Sequence, residues 1–305
     1  MGRTIVIGTV PFVNGRPLTW GLEEEPGVEV CRVVPSQMPA LLRTGRLDAA
    51  LLPTIAYFRL TADTGERARA ARDQPLRPAR APTAFVALRA GAIASRGPVG
   101  SARLMGWTDV EKVRRVLLDP ASRTSNALAR VLLVRQYGLR PHFVLPEDGG
   151  AAGAKPEARP PDAEVVIGDR GLRRQSSLGL APAWDRDLGQ EWDHFVHKPF
   201  VYAFWVARRE SATASLESLL EAARERGLKA REEVAEDAAK ETGIPLEVVR
   251  RHLVEEVHFG FGPREVKGLL AFYAMAAEEG LAPPGGRLRF GPDGPEEPPS
   301  GTEAP

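Results

Sequence analysis

The residues of this chain best suited to chemistry lie together in one stretch, Leu117-Leu118-Asp119-Pro120-Ala121-Ser122-Arg123-Thr124-Ser125-Asn126. After Asp119 come three hydroxyls and a guanidinium, with no further carboxylate. Val116 to Leu118 predicts the end of a buried strand. Leu128, Val131 and Leu132 then fall at helical spacing, and Gly138 follows as a stop signal. A helix N-terminus carries unpaired backbone N–H groups and a positive partial charge. Hydroxyls and an arginine at that point make a site for a carboxylate or phosphate. A plainer reading also fits: Ser122 as the N-cap and Arg123 as a solvated side chain. On this stretch alone the cap is the simpler account.

A second strand-to-helix turn follows at Glu164-Val165-Val166-Ile167 and Gly168-Asp169-Arg170-Gly171. In open α/β sheets ligands collect at the C-terminal ends of strands. Ile167 and Gly168 therefore join the candidate binding residues, and so does Asp169. Its charge would repel a carboxylate, so it is expected to orient a hydroxyl or to act structurally. Asn14 sits in the loop after the first strand, where an amide either closes an Asx-turn or N-cap or meets a ligand. His142, His194, His197, His252 and His258 all lie outside these turns, and Glu191 lies near a predicted crossing. There is no His-x-x-x-His, no cysteine pair and no Asp-rich loop, so no metal is expected. No Gly-x-Gly-x-x-Gly follows the first strand, so no dinucleotide is expected either.

These turns need a scaffold, and the first sixty residues alternate strand and helix. Thr4 to Gly8 is apolar and β-branched. Asn14 and Pro17 mark a helix start, and Val28 to Val34 is a second strand. Ser36 caps a helix carrying Met38, Leu41 and Leu42 that Gly45 closes. Ala49 to Leu52 is a third strand, and Thr54 caps a helix with Ile55 and Phe58. Such repeats imply a parallel sheet with right-handed crossovers. Extended segments at Thr83–Leu88 and Val99–Leu104 open a second block, which continues through the two turns. Phe200 to Ala207 is an aromatic strand. Helical stripes follow at Leu216, Leu219, Leu220 and Ala223, at Val248, Val249 and Leu253, and at Val266, Leu269, Leu270 and Tyr273. These read as core faces.

The order predicts α/β architecture in two lobes with a ligand cleft between them. Residues 1–90 with 200–282 form the first lobe and 91–199 the second. Two crossings are expected, near 89–100 and 190–202. Residues 283–305 read as a disordered tail, 146–162 as a surface loop, and 61–82, rich in Ala, Arg and Pro, carry no firm assignment.

The chain has 305 residues, with 41 lysines and arginines against 40 acidic residues. This balance argues against nucleic-acid binding through bulk charge. Cys31 is the sole cysteine, so no intrachain disulfide forms. No secretory signal and no run of 18 apolar residues is visible, so neither secretion nor a membrane span is expected. A cytoplasmic protein fits. Oligomeric state is not written in the sequence.

At this point the motifs resemble those of chorismate dehydratases of the futalosine route to menaquinone. Thr9-Val10-Pro11-Phe12-Val13-Asn14-Gly15-Arg16-Pro17-Leu18 is similar to the family's N-terminal signature, and residues 45–55 (Gly45 to Ile55) match a second. Asp119 through Leu128, Ile167 to Arg170, and Asp187 to Trp192 with Pro199-Phe200-Val201 match three more. The matches run in order from residue 5 to about 281. Val13 in place of Leu, the stretch Leu104-Met105-Gly106-Trp107, and a longer, Arg-richer segment 61–82 depart from the pattern.

The resemblance implies a two-lobed, type II periplasmic-binding-protein-like fold used for catalysis without a cofactor. It implies conversion of the small dicarboxylate chorismate to 3-[(1-carboxyvinyl)oxy]benzoate and water. Ser122, Arg123, Thr124 and Ser125 favour this over the sister dihydroxynaphthoate synthase. The other alternative is a non-catalytic carboxylate-binding protein. The family match tips Asn14 towards function and adds Ser101, whose matching position faces substrate. One substrate carboxylate is assigned to Ser122, Thr124 and Ser125. The other goes to the Ile167-Gly168-Asp169 turn and Ser101. With no histidine or glutamate in the first four motifs, the substrate's own enolpyruvyl carboxylate is the expected proton acceptor, held by Asn14 and Ser101.

Overall fold

The computed structural model describes residues 3–70, 84–146, 161–291 and 296–297. Two mixed sheets form the scaffold. In the larger, β1 (Ile5–Thr9) lies parallel to β2 (Val28–Arg32) and β3 (Ala49–Pro53). That much follows the strand–helix–strand repeats. Two longer strands depart from the all-parallel expectation: β4 (Phe85–Ser95) pairs antiparallel with β10 (Phe200–Arg208), which also runs antiparallel to β3. The chain leaves this lobe along β4 and returns along β10, so the two strands must point in opposite directions. Short β11 (Val257–His258) closes the edge against β4.

The smaller sheet takes its strands from the intervening chain, in the order β7 (His142–Val144), β6 (Arg115–Leu117), β8 (Ala163–Ile167), β5 (Ala102–Gly106), β9 (Trp184–Asp187). Here β6 is parallel to β7 and β8, whereas β5 is antiparallel to β8 and β9. Two crossings join the sheets, residues 96–101 between β4 and β5, and residues 197–199 between α5 (Leu188–Val196) and β10. One carboxylate ties them together. Asp187 Oδ1 accepts from Gly189 N at 2.9 Å and Gln190 N at 3.1 Å, capping α5, and from Val99 N at 3.0 Å. Its Oδ2 accepts from Gly100 N at 2.7 Å and Arg103 Nη1 at 3.3 Å. Gly189 has no room for a side chain, since a Cβ would stand 2.6 Å from the Gly97 carbonyl oxygen.

Around the larger sheet α2 (Thr54–Ala70) and α9 (Pro263–Glu278) pack on β10, and α6 (Ala214–Lys229) packs on β4. Three local expectations change. Asn14 and Pro17 sit within a 3-10 helix, Val13–Leu18, not at the start of an α-helix. The helix after β2, α1 (Met38–Thr44), starts from Gln37 with no side-chain cap, so Ser36 does not cap it. Thr54 opens α2 but sends its hydroxyl to Val201 O at 2.7 Å, across to β10.

The tail boundary at residue 283 also needs correction. Tyr273 Oη donates to Pro283 O at 2.6 Å and accepts from Gly286 N. Leu288 and Phe290 are buried, and Arg89 lies 3.7 Å over the Phe290 ring. Residues 283–291 therefore belong to the first lobe, because their two apolar side chains find space beside β4. Residues 292–295 and 298–305, and the loop 147–160, lie outside the described residues. Of the segment 61–82, α2 accounts for the part up to Ala70 and residues 71–82 fall outside the description.

Candidate active site

The cleft between the sheets is lined from both lobes. Val10, Phe12, Asn14, Pro35, Pro53, Ile93, Tyr202 and Ala203 come from the first lobe. Ser101, Ala102, Ser122, Arg123, Thr124, Ser125, Ile167 and Gly168 come from the crossing and the second. The structure thus brings together every predicted site residue except Asp169. That side chain turns to the backbone instead: its Oδ1 accepts from Val13 N at 3.2 Å, one residue before Asn14. Asp169 orients the Asn14 turn from outside the cleft.

The polar turn at the start of α3 (Thr124–Arg135) is built by residues the sequence reading passed over. Asn126 Nδ2 donates to Asp119 O and Ser122 O, both at 2.8 Å, and its Oδ1 accepts from Asp119 N at 3.1 Å. Asp119 Oδ1 accepts from Ala121 N at 2.9 Å. Its Oδ2 accepts from Ile167 N at 3.2 Å and Arg170 Nη2 at 2.6 Å. One buried carboxylate therefore fixes both ligand-facing turns relative to each other. The Asp119-to-Asn126 spacing was the available signal, because an Asx side chain at each end of a strand–helix turn can close on the other's backbone.

Ser122 both caps the helix and lines the cleft. Its Oγ accepts from Ser125 N at 3.1 Å, a capping bond to an orphan helix donor. It also lines the cleft, with its hydroxyl proton left to give. Arg123 holds the N-cap position in a helical conformation and makes no capping bond. Its guanidinium donates to Ser36 O at 3.3 Å. Thr124 Oγ1 accepts from Ile55 N at 3.4 Å, joining α3 to α2 across the cleft.

Asn14 presents the least expected feature. Its Oδ1 is buried and has no hydrogen-bond partner. A buried amide oxygen without a partner is unfavourable by about 1–3 kcal/mol, so the position asks for a donor from a ligand. Ser101 is buried on the facing crossing, and Gly171 packs against it so closely that a Cβ there would come 2.5 Å from Ser101 O. Gly168 adopts φ +62°, and a Cβ at that position would meet the Phe12 ring at 2.7 Å. Glycine at 168 is what lets the two lobes approach.

Tyr202 was not anticipated. Burial pushes its phenol well above the ordinary tyrosine value, the nearby Asp187 charge adds to this, and a contact from its Oη to Ser95 Oγ at 3.3 Å works the other way. It therefore stays neutral. A continuous apolar run such as Phe200 to Ala207 does not reveal which side chain faces a cleft, and a register shift between Val201 and Ala203 turns the local alternation.

Among the described residues Arg123 is the one cation in the lining, with no carboxylate and no histidine beside it. Glu191 lies within the second lobe, accepting from Gln136 Nε2 at 2.9 Å, Arg186 Nη1 at 3.2 Å and the Tyr137 hydroxyl. It is neither in the cleft nor at a crossing. His194 contacts Gln190 at 2.7 Å on an exposed face. Among the described residues no group of three His, Cys, Asp or Glu side chains could hold a metal ion, and no helix is long and apolar enough to cross a membrane.

As the lobes stand, the space at the cleft is about 60 Å³. The Thr124–Ile55, Asp169–Val13 and Arg123–Ser36 hydrogen bonds join the two lobes around it.

Known proteins agree with this architecture. A chorismate dehydratase of Thermus thermophilus is 27% identical over 286 residues, 88% of this chain and 94% of that protein. Protein AF1704 from Archaeoglobus fulgidus superposes with a TM-score of 0.64 at 15% identity, over 91% of this chain and 98% of that one. The periplasmic aliphatic sulphonate binding protein SsuA from Escherichia coli gives 0.55 at 18% identity, over 93% and 89%. The fold is periplasmic-binding-protein-like. Residues 78–278 match the family described as menaquinone biosynthesis, and the chain belongs to that family.

Proposed function

We propose that this protein is a dehydratase that converts chorismate to 3-[(1-carboxyvinyl)oxy]benzoate and water. The observation that carries the reading is a cleft of amide and hydroxyl donors, Asn14, Ser101 and the Ser122–Ser125 turn with its Arg123 guanidinium, with an unsatisfied Asn14 oxygen and, among the described residues, no carboxylate or histidine in the lining. The dehydratase name of the Thermus relative supports it.

Chorismate brings two carboxylates, an enol ether and a ring hydroxyl. The reaction removes the proton at the ether-bearing ring carbon and the hydroxyl on its neighbour. The C–H electron pair becomes a ring double bond as the C–O bond breaks, and the departing hydroxide leaves as water after taking up a proton. Aromatisation drives this downhill, so the protein must chiefly position the substrate and guide one proton.

The hydroxyls of Ser122, Thr124 and Ser125, with Arg123 and the helix end, hold one carboxylate. Charge-assisted hydrogen bonds contribute about 1.5–3 kcal/mol each and the helix end about 0.3–1, enough for micromolar binding once association costs are subtracted. Ser101 and the Ile167–Gly168 turn face the second carboxylate. Asn14 Oδ1 accepts from the ring hydroxyl and its amide N–H groups hold the enolpyruvyl carboxylate, which takes the ring proton. Neutral Tyr202 and apolar Phe12, Val10 and Ile93 exclude water.

The test is incubation with chorismate, followed by absorbance and NMR for the aromatic enol ether. Unchanged chorismate overturns the reading. So does turnover only of a cyclised futalosine derivative, which would assign the sister synthase activity. Asn14→Ala is expected to lower kcat by about 10²-fold with unfolding unchanged, and Glu191→Gln to retain turnover. Loss of turnover in Glu191→Gln with chorismate binding intact would refute the substrate-carboxylate base.

A further inference from the structure

Beside the cleft, and sharing Ser122 and Arg123 with it, a second pocket of about 200 Å³ opens between α2 and α3. Three guanidiniums converge on it: Arg59 from α2, and Arg123 and Arg130 on one face of the α3 turn and helix. No carboxylate lines it. Each arginine is held in place by something other than an anion. Arg59 donates from Nε at 3.0 Å and Nη2 at 2.7 Å to Leu281 O, Arg123 donates to Ser36 O, and Arg130 lies 4.6 Å from the centre of the Phe143 ring. None of the three has a carboxylate partner among the described residues.

Physics makes this arrangement unfavourable on its own. Burial, then the charges of Arg123 and Arg130, lower the Arg59 guanidinium from its ordinary value, and burial lowers Arg130. Arginines do not resolve such repulsion by deprotonation; solvent screens part of it at Arg59 and Arg123, which are exposed, and an anion would remove the rest. Arg59 belongs to one lobe and Arg123 and Arg130 to the other, so closing the cleft is what brings like charges together. An anion seated among them removes that opposition and joins the lobes. Planar guanidinium forks suit carboxylate and phosphate oxygens, and Leu118, Ala127 and Leu281 offer wall for a small carbon skeleton.

We propose that this pocket binds a small multiply charged oxyanion, of carboxylate or phosphate type, separate from the substrate in the cleft, and that its occupancy favours lobe closure. The pocket borders the catalytic reading above through Ser122 and Arg123, while Arg59 and Arg130 belong to it alone; its binding test requires no turnover, so the two fail separately.

Calorimetric titration of the full chain with inorganic phosphate, and separately with malonate, at low ionic strength tests it. Saturable one-to-one binding is expected, with the tighter of the two anions naming the chemistry. Arg59→Gln and Arg130→Gln should each weaken it by about tenfold, whereas Ser101→Ala should leave it unchanged. By linkage, a saturating anion should lower the KM for chorismate in the wild type and not in the arginine variants. Absence of saturable binding by both anions overturns the proposal. So does equal affinity in the arginine variants, or loss of binding in Ser101→Ala alone, which would put the anion in the cleft. Should either variant fold poorly by circular dichroism, dicarbonyl labelling of the wild type decides: the anion must protect Arg59 and Arg130, and unprotected labelling refutes the site.

Discussion

The two sheets are held together by different physics. In the larger, the central strands β3 and β10 bury almost everything they carry, from Ala49 to Leu52 and through Phe200, Phe204 and Trp205, with Tyr57 and Phe261 packed on Phe204 at ring distances of 5.3 and 5.0 Å. In the smaller, charges are buried among the strands and their turns. Arg103, Asp119, Asp162 and Glu164 are all nearly inaccessible. Arg103 pairs with Asp185 and Asp187, Asp119 with Arg170, and Glu164 accepts from Ser176 Oγ at 2.7 Å and Ser177 N at 3.0 Å. A small sheet has less apolar area to bury, so hydrogen-bonded carboxylates take over the work of fixing turns. The cleft-lining turns at Ser122 and Ile167 are on this sheet. Rigidity there comes from directional bonds, and the apolar lobe supplies a platform.

Substitutions can separate these two modes. Phe204→Ala should have the largest effect on stability, about 4 kcal/mol, measured by denaturant unfolding, with little dependence on salt or pH. Asp119→Ala removes acceptors from Ala121 N, Ile167 N and Arg170 at once. About 3 kcal/mol of destabilisation is expected, near the low end for breaking a buried pair because Arg170 is partly exposed. In contrast to Phe204→Ala, it should also abolish turnover. Equal activity loss per kcal/mol in the two variants would erase the distinction.

Gly168→Ala probes where the sheets meet. The left-handed backbone costs about 1–2 kcal/mol with a Cβ, and the new methyl would press on Phe12 and hold the lobes apart. A several-fold rise in KM for chorismate is expected, larger than the fall in kcat.

The smallest effect is at Glu265, a buried carboxylate in the apolar lobe. Burial pushes its carboxyl up, but Arg96 at 2.6 Å and the N–H groups of Gly262 and Glu265 outweigh this and hold it below the ordinary 4.5. A depressed folded value stabilises above the unfolded value and is lost as pH falls through the folded one. Glu265→Gln should therefore melt lower than wild type at pH 7, and the difference should shrink as pH drops below 4.5.

Much of the site was legible because its parts are local. Ser122, Arg123, Thr124, Ser125, Ile167 and Gly168 sit at strand-to-helix turns, and the chemistry of such turns follows from chain direction and residue type. The parallel core β1–β2–β3 was legible for the same reason, as repeats of neighbouring elements. Asp169 was expected to orient a hydroxyl or act structurally; its structural partner, Val13 N from the other lobe, was not legible because residue type and position alone do not say which way a side chain points. Tyr202 went unseen because a fully apolar strand hides its facing residue until a bulge sets the register. The packed segment 283–291 was missed because two apolar side chains among prolines and glycines look unburied until a groove beside β4 exists to receive them.

The sequence by itself determined the turns, the strand–helix rhythm and the neutral, hydroxyl-rich character of the ligand-facing residues, since each depends on neighbours within a few positions. Tertiary structure alone decided that Asn14 and the Ser122 turn, more than a hundred residues apart, share one cleft. It also set three arginines beside that cleft that have no carboxylate partner among the described residues. The reason is that both arrangements depend on two lobes closing across crossings fastened by Asp187, and contact between distant segments is a property of that closure rather than of any stretch of chain.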